Sequence, residues 1–462
     1  MEQSEINEHL LKKLVKEDIY CESSDVESSL KEVDVNNGNL QTSVQDFSCK
    51  RWLMLLLLSL TTMMSALMNV TYSPISKMVV SFYSIDIELV NWMSNLFLLA
   101  YILLAIPASF LVERYGLRFT MIFSSVMNAG ACCFRMGGLD TTHFVFCFVG
   151  QVVGALGYSF ILEAPTKLSR EWFPPNERAL ATSVGTTMNI SGVALGFLLG
   201  THIVPDTTDM RLLKDGFQAL YTVLLVLSLA FLSAVIILFE RSDRERDSTF
   251  KDHDLKSDLK SFGGSIRDLF VNCKFHLLMQ AYLIYFGLLN TFALLLEQIV
   301  RSKFTQGHEK GIGWMGFTSN MVSILASAIY GFILDRLKNY RFLAAFLNLM
   351  SLFLLMAFVS VLHYSTSFLS LAIIYIVFGA FGIPFCGIGL EHAAVMTAPV
   401  PGAISSAVML VFGNLYGFLM ILAFGEGIGN GYVIESLYAM IALYAISTTF
   451  AIFTKVEEKS YQ

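Results

Sequence analysis

Polar positions in this chain are few and bunched. Between them lie apolar runs of about 20 residues, the length that crosses a bilayer as a helix. Cutting at the charged and turn-rich breaks gives twelve runs, at 52–77, 89–112, 119–137, 143–168, 179–204, 217–239, 275–300, 313–334, 342–363, 367–390, 403–426 and 431–454. Backbone groups in lipid must be paired within the segment, so these runs predict helices. Barrel strands would alternate over about 10 residues, and none do. The pattern predicts an all-α polytopic membrane protein with twelve transmembrane helices.

Two polar stretches divide the chain. Residues 1–50 are Ser-, Glu- and Asn-rich and read as a disordered acidic tail. The run "ERSDRERDSTFKDHDLKSDLKS" separates the sixth apolar run from the seventh. This gives a six-helix half over 51–240, a charged linker over 241–274, a second half over 275–455 and a short tail over 456–462. Composition agrees: 15% of residues are charged, against roughly 25% in soluble domains.

The net charge of −6 belongs to the tail. Residues 1–50 hold eleven acids and five Lys, so the remainder sums to zero. Nothing in this balance points to nucleic acid. Seven Cys form no CxxC pair and no metal-ligand spacing, which reads as packing thiols. A cleavable leader pattern is absent from the polar first 50 residues. With both termini in the cytoplasm, 24 of the 31 Lys and Arg fall inside. The seven outside are Lys77, Arg135, Arg211, Lys214, Arg301, Lys303 and Lys310.

Two short breaks match each other. "LVERYGLRFT" (111–120) carries Glu113, Arg114, Gly116 and Arg118, and "ILDRLKNYRF" (333–342) carries Asp335 and Arg336. The acids are 222 positions apart, each followed directly by Arg, in the same turn of each half. Gly116 permits a tight turn. An Arg and a carboxylate here can pair across the inner ends and favour one state of a rocking bundle; positive-inside anchoring is the plainer account.

This repeat resembles the signature of the major facilitator superfamily. Ser109 stands at its first Gly, Glu113 replaces Asp, and the second copy is looser. "WFPPNERALATS" (172–183) adds to the resemblance. Over residues 50–455, "VNWMSNLFLLAY", "EAPTKLSREWFPPNERALATS" and "GIGLEHAAVMTAPVPGAISSAVMLVFGNLYG" are similar to solute carrier family 49, the feline leukaemia virus subgroup C receptor-related group, and closest to its smaller branch. The resemblance implies a secondary transporter of a small organic solute, such as choline, ethanolamine or a pyridoxine-type vitamin, by alternating access. Haem is the family's other associated cargo. The eight His are scattered, with no clustered ligand set, which ranks haem lower.

The same resemblance locates a site near the midplane. In choline-transporting members a Trp, a Gln, a Tyr and a Gln on helices one, four, seven and eleven form the cage. Matching motifs residue by residue puts Asn69, Tyr158, Asn290 and Asn414 there. None keeps the family's residue, which argues against simple transfer of choline specificity, while three amides suit a neutral or zwitterionic solute. Tyr72, Tyr282 and Tyr285 supply aromatic faces, which a quaternary ammonium favours. Each polar residue equally suits an interhelical hydrogen bond worth about 1 kcal/mol or less.

Ionisable residues within the spans call for a functional reading by default. Glu163 and Lys167 stand four apart in the favourable helical order, with Pro165 between them expected to kink the helix. Their reading is either a self-neutralised pair or a gating or proton-coupling carboxylate at Glu163. Glu297 and Arg301 repeat the spacing. Glu391, in "GLEHAAV", reads as a gate at the cytoplasmic mouth, and the adjacent His392 as incidental. No cofactor, metal site or catalytic constellation is expected, and "GxxxxGK[ST]" is absent. Energy must come from the solute's own gradient or a coupled ion. The expected partners are a small-molecule solute and the bilayer, with a monomeric chain in the plasma membrane by default or in an organelle. A solute receptor or sensor that kept the fold is the alternative class.

Overall fold

Gly116 sets the topology of the first half. The helix that contains it, Ile87–Gly137, has 51 residues, on the order of 75 Å if straight. Gly116 interrupts it with φ 83° and ψ 174°, a conformation closed to L side chains. The two arms fold back on each other. Gln151 shows this: its Nε2 donates to Met93 O at 3.3 Å, while its Oε1 accepts from Arg135. Residues of both arms therefore lie at one level, and one continuous helix makes two crossings. Among the described residues eleven helices are long and apolar enough to span a membrane; with this hairpin they give the twelve expected crossings.

The structure, a computed structural model, describes residues 37–174, 177–241, 264, 267, 269–271, 273–304, 307–337, 339–364, 367–397, 400 and 402–454. The side chains of 37–49, 179, 273, 274, 335, 402 and 403 lie outside that description. Much of the expected acidic tail (1–36), the charged linker over 242–263 and the tail over 455–462 lie outside it too. Among the described residues all regular structure is helical. The first half comprises α1 (Asn37–Val70), a 3-10 turn (Ser73–Ile75), α2 (Ser76–Tyr83), α3 (Ile87–Gly137), α4 (Phe144–Ile161), α5 (Ala164–Trp172), α6 (Arg178–Ile203) and α7 (Met210–Leu238). The second comprises α8 (Cys273–Leu294), α9 (Leu296–Arg301), α10 (Glu309–Leu337), α11 (Tyr340–Tyr364), α12 (Phe368–Met396), α13 (Gly402–Gly429) and α14 (Val433–Phe453).

Several boundaries differ from expectation, each for a local reason. The first span, expected at 52–77, starts in a helix from Asn37 and breaks after Val70. Pro74 has no N–H to donate and cannot continue a helix, so the chain takes a 3-10 turn and resumes as α2. The fourth span splits at Leu162 and Glu163, with Pro165 in the first turn of α5. The seventh splits at Leu295. Spans one, four and seven are thus discontinuous, and span ten carries Pro384 inside α12. Broken helices leave backbone groups and side chains free to serve a central path.

The end carrying Gly116 is called here the tail end, and the opposite one the far end. Each half has its own apolar core, one around Met68, Phe97 and Tyr221 and one around Tyr282, Leu288 and Phe292. Lipid offers no hydrophobic drive between helices, so the halves meet through close packing of small residues. A Cβ added at Gly313 of α10 would overlap Thr201 Oγ1 of α6, and one at Gly316 would overlap the Phe197 ring. Gly313→Val should therefore destabilise the protein by about 1–3 kcal/mol through overpacking, read as a lower melting temperature in detergent.

Candidate functional site

The far end is closed by a polar clasp between the halves. Arg301, at the end of α9, places Nη2 3.4 Å from Asp206 in the α6–α7 loop and 3.2 Å from Glu309 of α10. Its Nε contacts Glu297, which also accepts from Ser76 Oγ. Lys77 lies 3.5 Å from Asp206. Ser73 Oγ donates to Leu294 O at 2.6 Å, and Gln298 Nε2 donates to Asn91 Oδ1 at 2.6 Å. The side chains of Arg301 and Glu297 are only 9% and 2% exposed. A cleft of about 370 Å³ flanks the clasp, lined by His202, Asp206, Asp215, Glu309 and Lys310 among others. It lies away from the midplane residues.

The Asp206 carboxyl is held below its ordinary range. Burial opposes ionisation, but the hydrogen bond with Glu309 and the Arg301 and Lys77 charges outweigh it. An acid depressed on folding contributes stability above its unfolded value, about 3.9, and loses it as pH falls through the lower folded value. The Asp206 contacts should therefore hold at neutral pH and loosen only below the usual carboxylate range. Labelling of a cysteine placed at Ser73, followed against pH, checks this.

Below the clasp the midplane residues form two groups. In the first half Tyr158 of α4 accepts from Asn189 Nδ2 of α6 at 3.3 Å, and its ring meets Phe97 of α3 edge-on at 5.6 Å. In the second, Asn290 of α8 and Asn414 of α13 each donate to the carbonyl one turn back, Phe286 O at 2.9 Å and Leu410 O at 2.7 Å. Those bonds anchor the amides and leave their carbonyl oxygens with no donor among the described residues. Tyr416 Oη donates to Gln280 at 3.3 Å. Tyr282 stacks on Phe286 at 5.6 Å, and its buried hydroxyl has no partner among the described residues. The groups approach where Leu98 abuts Gly417 and Asn95 Nδ2 donates to Phe418 O at 3.1 Å.

Other candidates sit elsewhere. Asn69 of α1 is half-buried, and its Oδ1 is a buried acceptor with no donor among the described residues. Tyr72 turns into the first half, where its hydroxyl donates to Tyr221 at 3.1 Å and Arg135 lies 5.1 Å over its ring. Tyr285 pairs with Ser351 at 2.7 Å inside the second half.

At the tail end the expected Glu163–Lys167 pair does not form. Leu162 and Glu163 keep helical backbone angles, so the spacing is retained, but each side chain takes another partner. Lys167 Nζ instead reaches α3, 2.6 Å from Val112 O and 3.3 Å from Glu113, with Glu171 at 3.8 Å. Glu163 accepts from Tyr101 Oη at 2.9 Å. Glu113 also pairs with Arg170 at 3.0 Å, so these ion pairs of the turn stay within its own half and do not bridge the two. Arg114 lies 5.9 Å over Tyr115, Arg118 is half-buried, and Arg336 lies 4.5 Å over Phe332. The Asp335 side chain is outside the described residues. Glu391 is exposed near the end of α12. His392 is buried against Tyr340 at 5.9 Å, with neither ring nitrogen hydrogen-bonded among the described residues.

Tyr101, Asn189, Gln280 and Tyr416 were not singled out by sequence reasoning. Asn91 and Asn95 on α3 were quoted only within a motif, although polar residues at i and i+4 in an otherwise apolar helix are a usable signal.

Two six-span halves, clasped at one end around a polar and aromatic midplane, define a membrane transport fold. The profile of the Major Facilitator Superfamily matches residues 58–399, and the chain belongs to that superfamily. It is 28% identical over 400 residues to the human choline/ethanolamine transporter FLVCR2, covering 86% of this chain and 75% of that protein. It is 28% identical over 387 residues to the cat choline/ethanolamine transporter FLVCR1, covering 82% and 68%. These are the receptor-related carriers that the sequence motifs resemble. Two solved folds match: a bacterial homologue of the human lysosomal transporter Spinster, inward-facing and unoccupied, with TM-score 0.66 at 11% identity over 88% of this chain and 97% of that one, and a D-xylose–proton symporter, with TM-score 0.66 at 12% identity over 89% and 98%.

Proposed function

We propose that the chain carries a small organic cation of the choline and ethanolamine class across a membrane by alternating access. One observation carries the choice of cargo: the midplane offers acceptors and aromatic faces. The carbonyl oxygens of Asn290 and Asn414 await donors, as does Asn69 Oδ1, and Tyr282, Phe286, Tyr158 and Phe97 supply rings. Amide oxygens and ring faces both attract a cation that carries a hydroxyl or ammonium donor. The names of the FLVCR relatives support the same class.

The excess of Lys and Arg around the tail end supports a cytoplasmic assignment for that end and for both termini. With its far end clasped, the structure then corresponds to an inward-facing state, and the clasp to the outer gate. The chain acts as a monomer, and the plasma membrane is the default location.

A panel of labelled choline, ethanolamine, pyridoxine and haem in proteoliposomes tests this. Choline or ethanolamine should enter saturably. Uptake of haem alone, or of none of the four, sinks the assignment. Asn290→Ala and Asn414→Ala should each raise the half-saturating concentration about tenfold, the loss of ~1.4 kcal/mol expected for a hydrogen bond to a charged group, with normal folding. Unchanged kinetics in both would remove these amides from the path.

A further inference from the structure

We infer that Glu163 is a proton-binding site, and that the carrier exchanges a proton for an organic cation there. This rests on the cation transport proposed above and adds the coupling ion.

Four observations meet at this residue. Glu163 lies at the junction of α4 and α5, as the N-cap residue of α5, two positions before Pro165. It is half-buried, while its hydrogen-bond donor, Tyr101 of α3, is 1% exposed and donates a hydrogen bond to Oε1 at 2.9 Å. The cation that sequence spacing offers as its partner, Lys167, is held by Val112 O, Glu113 and Glu171. Among the described residues no Lys or Arg pairs with Glu163.

Tyr101 faces Glu163 from α3. Tyr158 stands five residues earlier on α4, about 7.5 Å along the axis, and is bonded to Asn189 of α6. Tyr282 of α8 lies within electrostatic reach of Tyr101. On α5, Lys167, Arg170 and Glu171 are engaged with Glu113 or each other. Among the described residues this carboxylate therefore has a tyrosine hydroxyl, and no Lys or Arg, as its hydrogen-bond partner.

An unpaired carboxylate inside a span is costly, and it lowers that cost by binding a cation. Two are on offer: a proton from water, or the charged group of the solute. Only one can neutralise the carboxylate at a time. With the tail end open, the group exchanges with that compartment. When the halves rock, it moves out of contact with that water, and it crosses neutralised by one cation or the other. The proton leaves the carboxyl for water as the organic cation arrives, and the reverse occurs on the other side. One positive charge moves each way, so the exchange is electroneutral. Tyr101 stabilises the carboxylate through its hydrogen bond and positions it between the two ligands.

Infrared difference spectroscopy on the full chain in lipid tests the proton site without any solute. Lowering the pH should raise a protonated-carboxyl band in the wild type. Glu163→Gln should lack that band, Glu163→Asp should restore one, and Tyr101→Phe should shift it. Identical band sets in the wild type and Glu163→Gln would overturn the proton site. Labelled choline in proteoliposomes with the membrane potential clamped tests the exchange. An acidic lumen should drive accumulation at least fivefold above equilibrium in the wild type and not in Glu163→Gln. Equal acid-driven accumulation in both would overturn the exchange, as would accumulation driven by an acidic exterior. A wild type that moves no panel solute defeats the transport proposal, while the infrared band still decides the proton site.

Discussion

Replacing Arg301 with Ala should cost about 3–5 kcal/mol, the loss expected when one partner of a buried ion pair is removed, and should loosen the far end. Arg301 is the hub of the clasp. It meets Glu297 beside it, Asp206 from the other half and Glu309 across the next loop. Its removal leaves Glu297 buried with the Ser76 hydroxyl and the Lys77 backbone N–H to donate to it, and Asp206 with Lys77 and the Glu309 hydrogen bond. Arg301→Lys should recover only part of the loss, because a point charge cannot address three carboxylates as a planar fork does. Melting temperature reads the first effect, and cysteine labelling at Ser73 reads the second. Wild-type stability together with wild-type labelling would remove Arg301 from the gate.

Gly116→Val should be the next most damaging change. At φ 83° and ψ 174° a β-branched side chain is excluded, and the conformation alone costs about 1–3 kcal/mol. The damage spreads because the hairpin presents Val112 O and Glu113 to Lys167. If the turn shifts, Lys167 loses its anchors. The variant should show a lower melting temperature and poor recovery in detergent, and a thermal-shift assay on the purified protein checks it. A normal melting curve would mean that the turn tolerates another geometry.

Much of the fold was legible because a bilayer imposes one rule on every span. Twelve apolar runs of the right length predicted twelve crossings, and the paired charged turns predicted two halves. Sequence periodicity could not show where a span breaks. Pro74 and Pro165 fall inside apolar runs, and only the structure shows that helical hydrogen bonding is interrupted beside them. The Glu163–Lys167 spacing misled for another reason: the backbone stays helical at 162–163, but Tyr101 takes Glu163 and the α3 turn takes Lys167. The Glu297–Arg301 pair was legible because α9 is continuous through it. Its partners Asp206 and Ser76 were not, since they come from distant segments of the other half.

The candidate site was legible in part. Asn290, Asn414 and Tyr158 are offered by the family resemblance, and each has a polar partner in its own half. Tyr72 is offered as a nearby aromatic face, yet it faces Tyr221 and Arg135 inside the first half. Which way a polar side chain turns depends on its neighbours across the bundle, and spacing along one helix does not encode them.

The central claim is that the far end must open for solute to cross. Asn91 and Gln298 meet there, one from each half, and cysteines at both positions can be joined by a short reducible cross-linker. Labelled choline uptake by the cross-linked Asn91→Cys, Gln298→Cys protein in proteoliposomes should be abolished, and reduction of the linker should restore it. Uptake at the full rate with the linker intact would contradict alternating access through this gate.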